Sequence, residues 1–255
     1  MKKEILQKFM GSCLFAAVGF AASVVWAADH SNLEEDQPVS VEDAFATAYL
    51  NYEIQGLVRY EKLDTGDEDR LMFQPMLEYG VWRNTEVQVH APFYTGDDDK
   101  HSGDLNLGAL YNFNQESVMA PATALEGELA LPTGEGSHGV DPTVKLILTK
   151  TVEPESFSRV HLNAAYTYNA RPQEDERDHL YALTAGYSFR PGADTIVIVD
   201  VLREREREGD EAISLLEAGV RQQLDPLTVL GLGGGVGLND EAPDYRVTLS
   251  AQRSF

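Results

Sequence analysis

The sequence predicts an all-β chain: a transmembrane antiparallel up-and-down β-barrel of about 12 strands behind a cleaved N-terminal signal peptide. Three observations carry that expectation. Alternating segments recur from Tyr49 to Phe255, each near the roughly 9 to 11 residues that a tilted strand needs to cross a bilayer, against a mode of about 5 to 6 in soluble sheets. Within the segments one parity is apolar and the other polar. The connections alternate between acidic, glycine-rich loops and turns that are mostly less charged, an order for which a Greek-key sandwich has no reason.

At the start of the chain, Lys2, Lys3 and Lys8 precede an apolar run from Cys13 to Trp26, and Val25-Trp26-Ala27 is an acceptable cleavage site, so residues 1–27 read as a signal peptide. A retained membrane helix is the alternative, but Gly11 and Ser12 interrupt the run early and it is shorter than a bilayer usually requires. Cys13 is the only cysteine, so cleavage leaves a chain without disulfide or thiol chemistry. A lipid-modified cysteine should follow the apolar run, and Cys13 precedes it. Export without cysteine points to a bacterial envelope. Residues 28–44, with the stretch DHSNLEEDQPVSVED, read as an acidic flexible periplasmic arm, and residues 45–255 as the barrel.

A formal charge of −22 excludes a nucleic-acid partner, which needs clustered cations. Beyond the signal no run of about eighteen apolar residues remains, so a membrane crossing has to be made by a closed sheet.

The predicted strands run approximately from Tyr49 to Lys62, Arg70 to Trp82, Thr85 to Thr95, Asp104 to Asn114, Ala122 to Thr133 and Thr143 to Val152. They continue from Arg159 to Asn169, Asp178 to Phe189, Thr195 to Arg205, Glu211 to Leu224, Thr228 to Leu238 and Tyr245 to Phe255. In the second, Leu71, Phe73, Leu77 and Tyr79 oppose Gln74 and Glu78; in the seventh, Val160, Leu162, Ala164, Tyr166 and Tyr168 oppose His161, Asn163 and Thr167. A soluble barrel alternates too, with the apolar side inward. Strand length, the loop rhythm and aromatics near segment ends, such as Tyr79 with Trp82 and Tyr187 with Phe189, favour the membrane form with interfacial girdles. LREREREGDE reads as an outer continuation of the ninth strand, since its arginines share one parity and its glutamates the other. The last strand, YRVTLSAQRSF, ends on Phe255, which resembles the assembly signal read by the bacterial barrel-assembly machinery.

Two stretches extend the pattern: SGDLNLGALYNF, Ser102 to Phe113, and LEGELALPTGEG, Leu125 to Gly136. They resemble the family labelled putative MetA-pathway of phenol degradation, most specifically at Gly103-Asp104 and Pro132-Thr133-Gly134. The resemblance covers about Tyr49 to Phe255 and implies an outer-membrane barrel that admits small, aromatic or hydrophobic, compounds. Both motifs also have a structural reading: Gly103 permits a turn, and Pro132 with Gly134 ends a strand.

With the polar parity inward, the lumen gathers Glu53, Arg59, Glu78, Glu86, His90, Glu126, Glu128, Lys145, His161, Asp200, Glu217, Arg221 and Arg246. Such charges line an aqueous path or form a network that plugs it. Glu126 and Glu128 have the spacing of a paired carboxylate but read as lumen charges partnered by Lys145 or arginines on neighbouring strands. His90 and His161 belong to no ligand spacing such as HExxH, and Asp97-Asp98-Asp99 and Glu174-Asp175-Glu176 follow no dedicated calcium loop, so no metal and no cofactor is expected. The glycines Gly231, Gly233, Gly234, Gly235 and Gly237 lack a strand-turn-helix setting and read as space for bulky neighbours or as aids to curvature.

The expected function is passive, porin-like transport of small solutes across a Gram-negative outer membrane, not catalysis. The expected partners are outer-membrane lipid, lipopolysaccharide, the assembly machinery and the solute. The alternatives are a lipid-modifying enzyme, which needs a serine beside a histidine and shows no obvious pair, and a plugged structural or adhesive barrel.

Overall fold

The computed structural model describes residues 32–63, 69–96, 101–135, 137–174, 176–208 and 211–255. The predicted signal peptide, the first residues of the predicted arm, Asp97 to Asp99 and Asp175 lie outside them.

The described chain is a single antiparallel sheet closed on itself. Its strands are β1 (Tyr52–Lys62), β2 (Asp69–Trp82), β3 (Thr85–His90), β4 (Phe93–Gly96), β5 (His101–Ser102), β6 (Leu105–Asn114) and β7 (Ala122–Leu131). They continue with β8 (Asp141–Glu153), β9 (Ser158–Tyr168), β10 (His179–Gly192), β11 (Thr195–Arg205), β12 (Ile213–Asp225), β13 (Thr228–Gly237) and β14 (Tyr245–Ser254). Because β3 with β4 and β5 with β6 each form one stave, the fourteen strands build a barrel of 12. Each stave pairs with its sequence neighbours, and β1 pairs with both β2 and β14.

The break between β3 and β4 has a local cause. Pro92 has no N–H to give to a ladder, and Pro75 of β2, whose carbonyl accepts from the Ala91 N–H, has none to return. The β2–β3 ladder accordingly ends at Met76–His90 and the β2–β4 ladder resumes at Phe73–Phe93.

The parity expected from the sequence is realised around the ring. Leu107 is 42 % exposed and Val160 40 %, and the same outer face carries Ile54, Leu77, Leu129, Leu162, Val199, Leu232 and Leu249. An apolar band of this extent on a water-soluble monomer would be an aggregation surface; around a closed ring it is the lipid contact. Aromatic side chains border it on both sides. Tyr52 stacks on Tyr79 with ring centres 4.3 Å apart near one rim, and Tyr60 lies 6.0 Å from Tyr245 near the other.

The turns at Arg83–Asn84, Ala193–Asp194 and Pro226–Leu227 are tight, and all lie at the end where the chain enters β1 and leaves β14. Asn84 takes the left-handed conformation there, φ 60°, which asparagine tolerates well. Short turns and both strand termini mark this end as periplasmic. At the opposite, outer end the β13–β14 loop folds inward, setting Ala242 on Leu202, Ile213 and Leu215.

The lipid-facing assignment sets a depth-dependent expectation. Val199→Arg, near the middle of β11, should cost about 2–4 kcal/mol in urea-titrated folding into phospholipid vesicles, whereas the existing outward Arg253 near the rim should change by about 1 kcal/mol or less on replacement by Leu.

Candidate functional site: the lumen and its internal segment

The inward rows bring the thirteen predicted lumen residues together. Glu53, Arg59, Glu78, Glu86, His90, Glu126, Lys145, His161, Asp200, Glu217, Arg221 and Arg246 are all buried, and Glu128 is nearly so. They are buried largely because the lumen is occupied by the chain itself. Asn32 to Ala44, which composition reads as part of a flexible periplasmic arm, lies inside the barrel; residues 45–47, read as the first part of the barrel, continue this internal segment, and Ala48 to Leu50, exposed at the rim, lead into β1. Charged residues alone do not keep a segment in solvent when the wall around it offers cations for Glu35, Asp36 and Glu42 and acceptors for five backbone N–H groups.

The segment forms a tight turn, with Glu34 bridged to Gln37 and Glu35 and Asp36 at its tip. From Pro38 it then passes along the inner wall, and its backbone is held by wall side chains in sequence around the ring. The N–H groups of Ser40, Val41, Glu42, Ala44 and Thr47 donate to Glu217, Asp200, Asn163, Thr149 and Glu86 at 3.2, 2.8, 2.9, 3.0 and 2.6 Å. Those acceptors stand on β12, β11, β9, β8 and β3. In the other direction, Arg221 and Asn163 donate to the carbonyls of Gln37 and Glu42 at 3.0 and 2.9 Å. Irregular backbone at membrane depth needs this kind of satisfaction.

Apolar contacts complete the fit. Leu33, Val39 and Val41 pack on Ile196 and Ile198, and Ala44 packs on Leu110, Ala122, Ala124 and Ile147. The inner wall is therefore not uniformly polar: it is apolar where the segment is apolar. Part of the glycine run on β13 has the same cause. Gly233 faces inward, where a Cβ would strike the Pro38 carbonyl, and a Cβ on Gly219 would sit 2.7 Å from Pro38 Cγ. Of the five glycines expected to leave space, Gly231 and Gly233 leave it for the internal segment, while Gly235 faces Glu217 and Arg246 and Gly237 faces Ala242 and Pro243.

Ion pairs fix the tip. Lys145 Nζ lies 2.8, 2.6 and 2.8 Å from Glu35, Glu42 and Glu126, and Arg59 lies 2.9 Å from Asp36. Glu126 and Glu128 thus part company: the first takes Lys145 and the second takes His90 at 3.1 Å. Sequence spacing offered no metal site, but the fold brings carboxylate oxygens of Glu34, Glu53 and Glu78 within 4.8 Å of one another. A second group, Glu35, Glu42 and Glu126, already shares Lys145.

No serine is obviously paired with a histidine in the sequence, yet the structure places Ser188 Oγ 2.9 Å from His161 Nε2. The reason is register: His161 lies opposite Gly186, which puts Ser188 diagonally across the β9–β10 pair on the same inner face. The other ring nitrogen meets Thr149 Oγ1 at 3.2 Å in place of a carboxylate, and His161 is fully buried.

Among the described residues, two vestibules flank the segment. The outer, about 290 Å³, has a charged side with Arg59, Arg70, Arg246, Glu61 and Glu204 and an apolar side with Met72, Leu202, Ile213 and Pro243. The inner, about 590 Å³, lies between Phe45 to Tyr49 and the Arg83, Asn112, Glu116 and Arg159 side chains. They share no lining residue.

At the outer rim the two motifs singled out in the sequence meet. Asp104 accepts from the Gly134 N–H at 2.9 Å and from Ser137 Oγ at 2.6 Å, while Thr133 Oγ1 accepts from the Leu105 N–H at 2.8 Å. A Cβ on Gly134 would lie 2.8 Å from the Gly103 carbonyl carbon. Their role here is to join two outer connections.

A closed barrel with an apolar belt, aromatic borders and a polar lumen threaded by its own N-terminal segment is a bacterial outer-membrane β-barrel protein. The chain belongs to the family described as Putative MetA-pathway of phenol degradation, which matches residues 42–255. Among solved structures it is similar to an outer membrane channel from Pseudomonas putida F1, at 14% identity and a TM-score of 0.65, over 84% of this chain and 98% of that one. It is also similar to the KdgM porin in complex with disordered oligogalacturonate, at 13% identity and a TM-score of 0.56, over 81% and 99%. At these identities the likeness shows a shared fold. No curated protein matches the sequence.

The packing of Pro38 against glycine gives a direct test of the docked segment. In a Val39→Cys background the thiol, buried against Ile196 and Ile198, should resist a membrane-impermeant maleimide. Adding Gly233→Val should expose it, while the folded barrel persists as judged by its heat-modifiable migration on gels. A second expectation concerns Lys145: Lys145→Met leaves buried carboxylates without their cation and should destabilise the docked segment by about 3–5 kcal/mol, read as faster protease cleavage between residues 32 and 48.

Proposed function

We propose that the protein passively conducts small solutes, aromatic or hydrophobic ones among them, across the outer membrane, with the internal segment setting the width of the path. The observation that carries this reading is the pair of vestibules on opposite sides of a segment that is held by side-chain hydrogen bonds and ion pairs and has no ladder with the wall over residues 38–47. Such contacts can be exchanged for water without opening the barrel. The outer vestibule suits an amphipathic solute, since its apolar side faces a charged one. Family membership and the fold shared with an outer membrane channel support the reading.

A catalytic reading has one structural point in its favour, the Ser188–His161 contact, and the burial of that pair beneath the segment weighs against it because substrate has no access. The mixed charges of the lumen serve the conduction path in this proposal: Arg59, Arg70 and Arg246 set against Glu61 and Glu204 leave no single-sign field to exclude either kind of ion.

The test is unitary conductance in planar bilayers, together with phenol uptake into proteoliposomes, for the wild-type protein and for a variant lacking residues 32–47. A small conductance for the wild type, a severalfold rise on deletion, and phenol uptake in both are expected. A deletion variant that is folded and passes neither ions nor phenol would overturn the proposal in favour of a structural barrel.

A further inference from the structure

The lipid-facing wall is not smooth. Across β8 to β11 it carries a groove of about 400 Å³, almost wholly apolar, with Arg203 at one end. The pairing register explains its shape. Ala164 lies between Leu146 and Leu183, and Ala185 lies between Leu162 and Val201, so two small side chains fall on a diagonal where their neighbours are long. A trough a few ångströms deep results, walled by leucines and open to the bilayer.

Arg203 stands where the trough reaches β11. Its side chain is exposed, its cross-strand neighbours Leu183 and Ser214 are neutral, and one guanidinium nitrogen donates to Ser214 Oγ at 3.1 Å. Among the described residues no carboxylate pairs with it, although the chain carries 42 acidic residues against 20 lysines and arginines. The next outward position on the strand, Arg205, is also exposed. Height follows from strand geometry. At about 3.3 Å per residue and a tilt near 40°, Arg203 lies roughly 20 Å above Thr195 at the periplasmic turn, close to the outer edge of an apolar band about 25 Å tall.

We propose that this groove binds a phosphorylated acyl lipid of the outer leaflet, the lipid A part of lipopolysaccharide, with an acyl chain in the Ala164–Ala185 trough and a phosphate on Arg203. The apolar trough fits a hydrocarbon chain and nothing polar. Among the described residues Ser214 is the one hydrogen-bond partner of the guanidinium, and its planar fork matches a phosphate. Its height assigns the phosphate to the outer leaflet, where the phosphorylated lipid of a Gram-negative envelope is lipid A. The site lies outside the lumen and does not depend on conduction.

Native mass spectrometry of the detergent-solubilised full chain tests it, with lipid A, dephosphorylated lipid A and phosphatidylglycerol as probes. Wild type should retain lipid A over both other lipids. Arg203→Gln should weaken lipid A by about fivefold and abolish the preference over the dephosphorylated form, as expected for one interfacial cation. Ala185→Leu, which fills the trough and leaves the guanidinium in place, should weaken lipid A and its dephosphorylated form together. Arg253→Gln, an outward arginine at the periplasmic rim, should change nothing. Equal retention of phosphatidylglycerol and lipid A, or unchanged lipid A binding by folded Arg203→Gln and Ala185→Leu, would overturn the proposal.

Discussion

The pairing of β1 with β14 is the contact on which the rest of the molecule depends. It runs from Glu53–Ser254 to Lys62–Tyr245, and at the periplasmic rim Tyr52 and Phe255 exchange backbone hydrogen bonds of 3.3 and 2.9 Å. With that seam closed, every stave has a neighbour on both sides and the ring has no edge to expose in a medium that offers no hydrogen bonds. Closure also divides the side chains. One parity meets lipid and must be apolar; the other is enclosed, and its charges must find partners inside.

That second requirement explains the internal segment. A ring of 12 staves is wider than the side chains of its inner face can fill, and its buried carboxylates, guanidinium groups and ammonium need counterparts. Residues 32–47 supply both. Their backbone N–H groups meet acceptors that would otherwise face a water-filled lumen, and Glu35, Asp36 and Glu42 balance Lys145 and Arg59. Glycines at Gly219 and Gly233 open the wall where Pro38 must pass. The wall and the segment are thus matched in shape, polarity and charge. The match belongs to side chains, so it can be lost without disturbing the ladder.

Inner and outer surfaces consequently carry different chemistry on the same strands. On β11, Asp200 and Leu202 point to the segment and the outer vestibule, while Val201 and Arg203 between and beyond them face lipid and its headgroups. Change on one face leaves the other intact, because neighbouring residues on a strand share a backbone and little else. The proposed conduction path and the proposed lipid site therefore use opposite faces of one wall.

How much of this was legible in the sequence depends on which physical rule governs each part. Strand parity, strand number and the outward belt follow from local alternation, which is why Leu107, Val160 and the last strand stand where expected, and why the thirteen candidate lumen residues all point inward. Register is different. It is fixed by the whole ring, so the pairing of Glu126 with Lys145, Glu128 with His90, and His161 with Ser188 had no sequence signature. The internal segment was hidden for a related reason. Its composition is that of a solvated arm, and the short apolar positions Leu33, Val39 and Val41 around Pro38 were its only local sign. Local periodicity by itself determined the barrel and the faces of its strands; only the closed tertiary structure decided what the enclosed face would bind, because the partners of a buried charge are set by distances across the lumen and not along the chain.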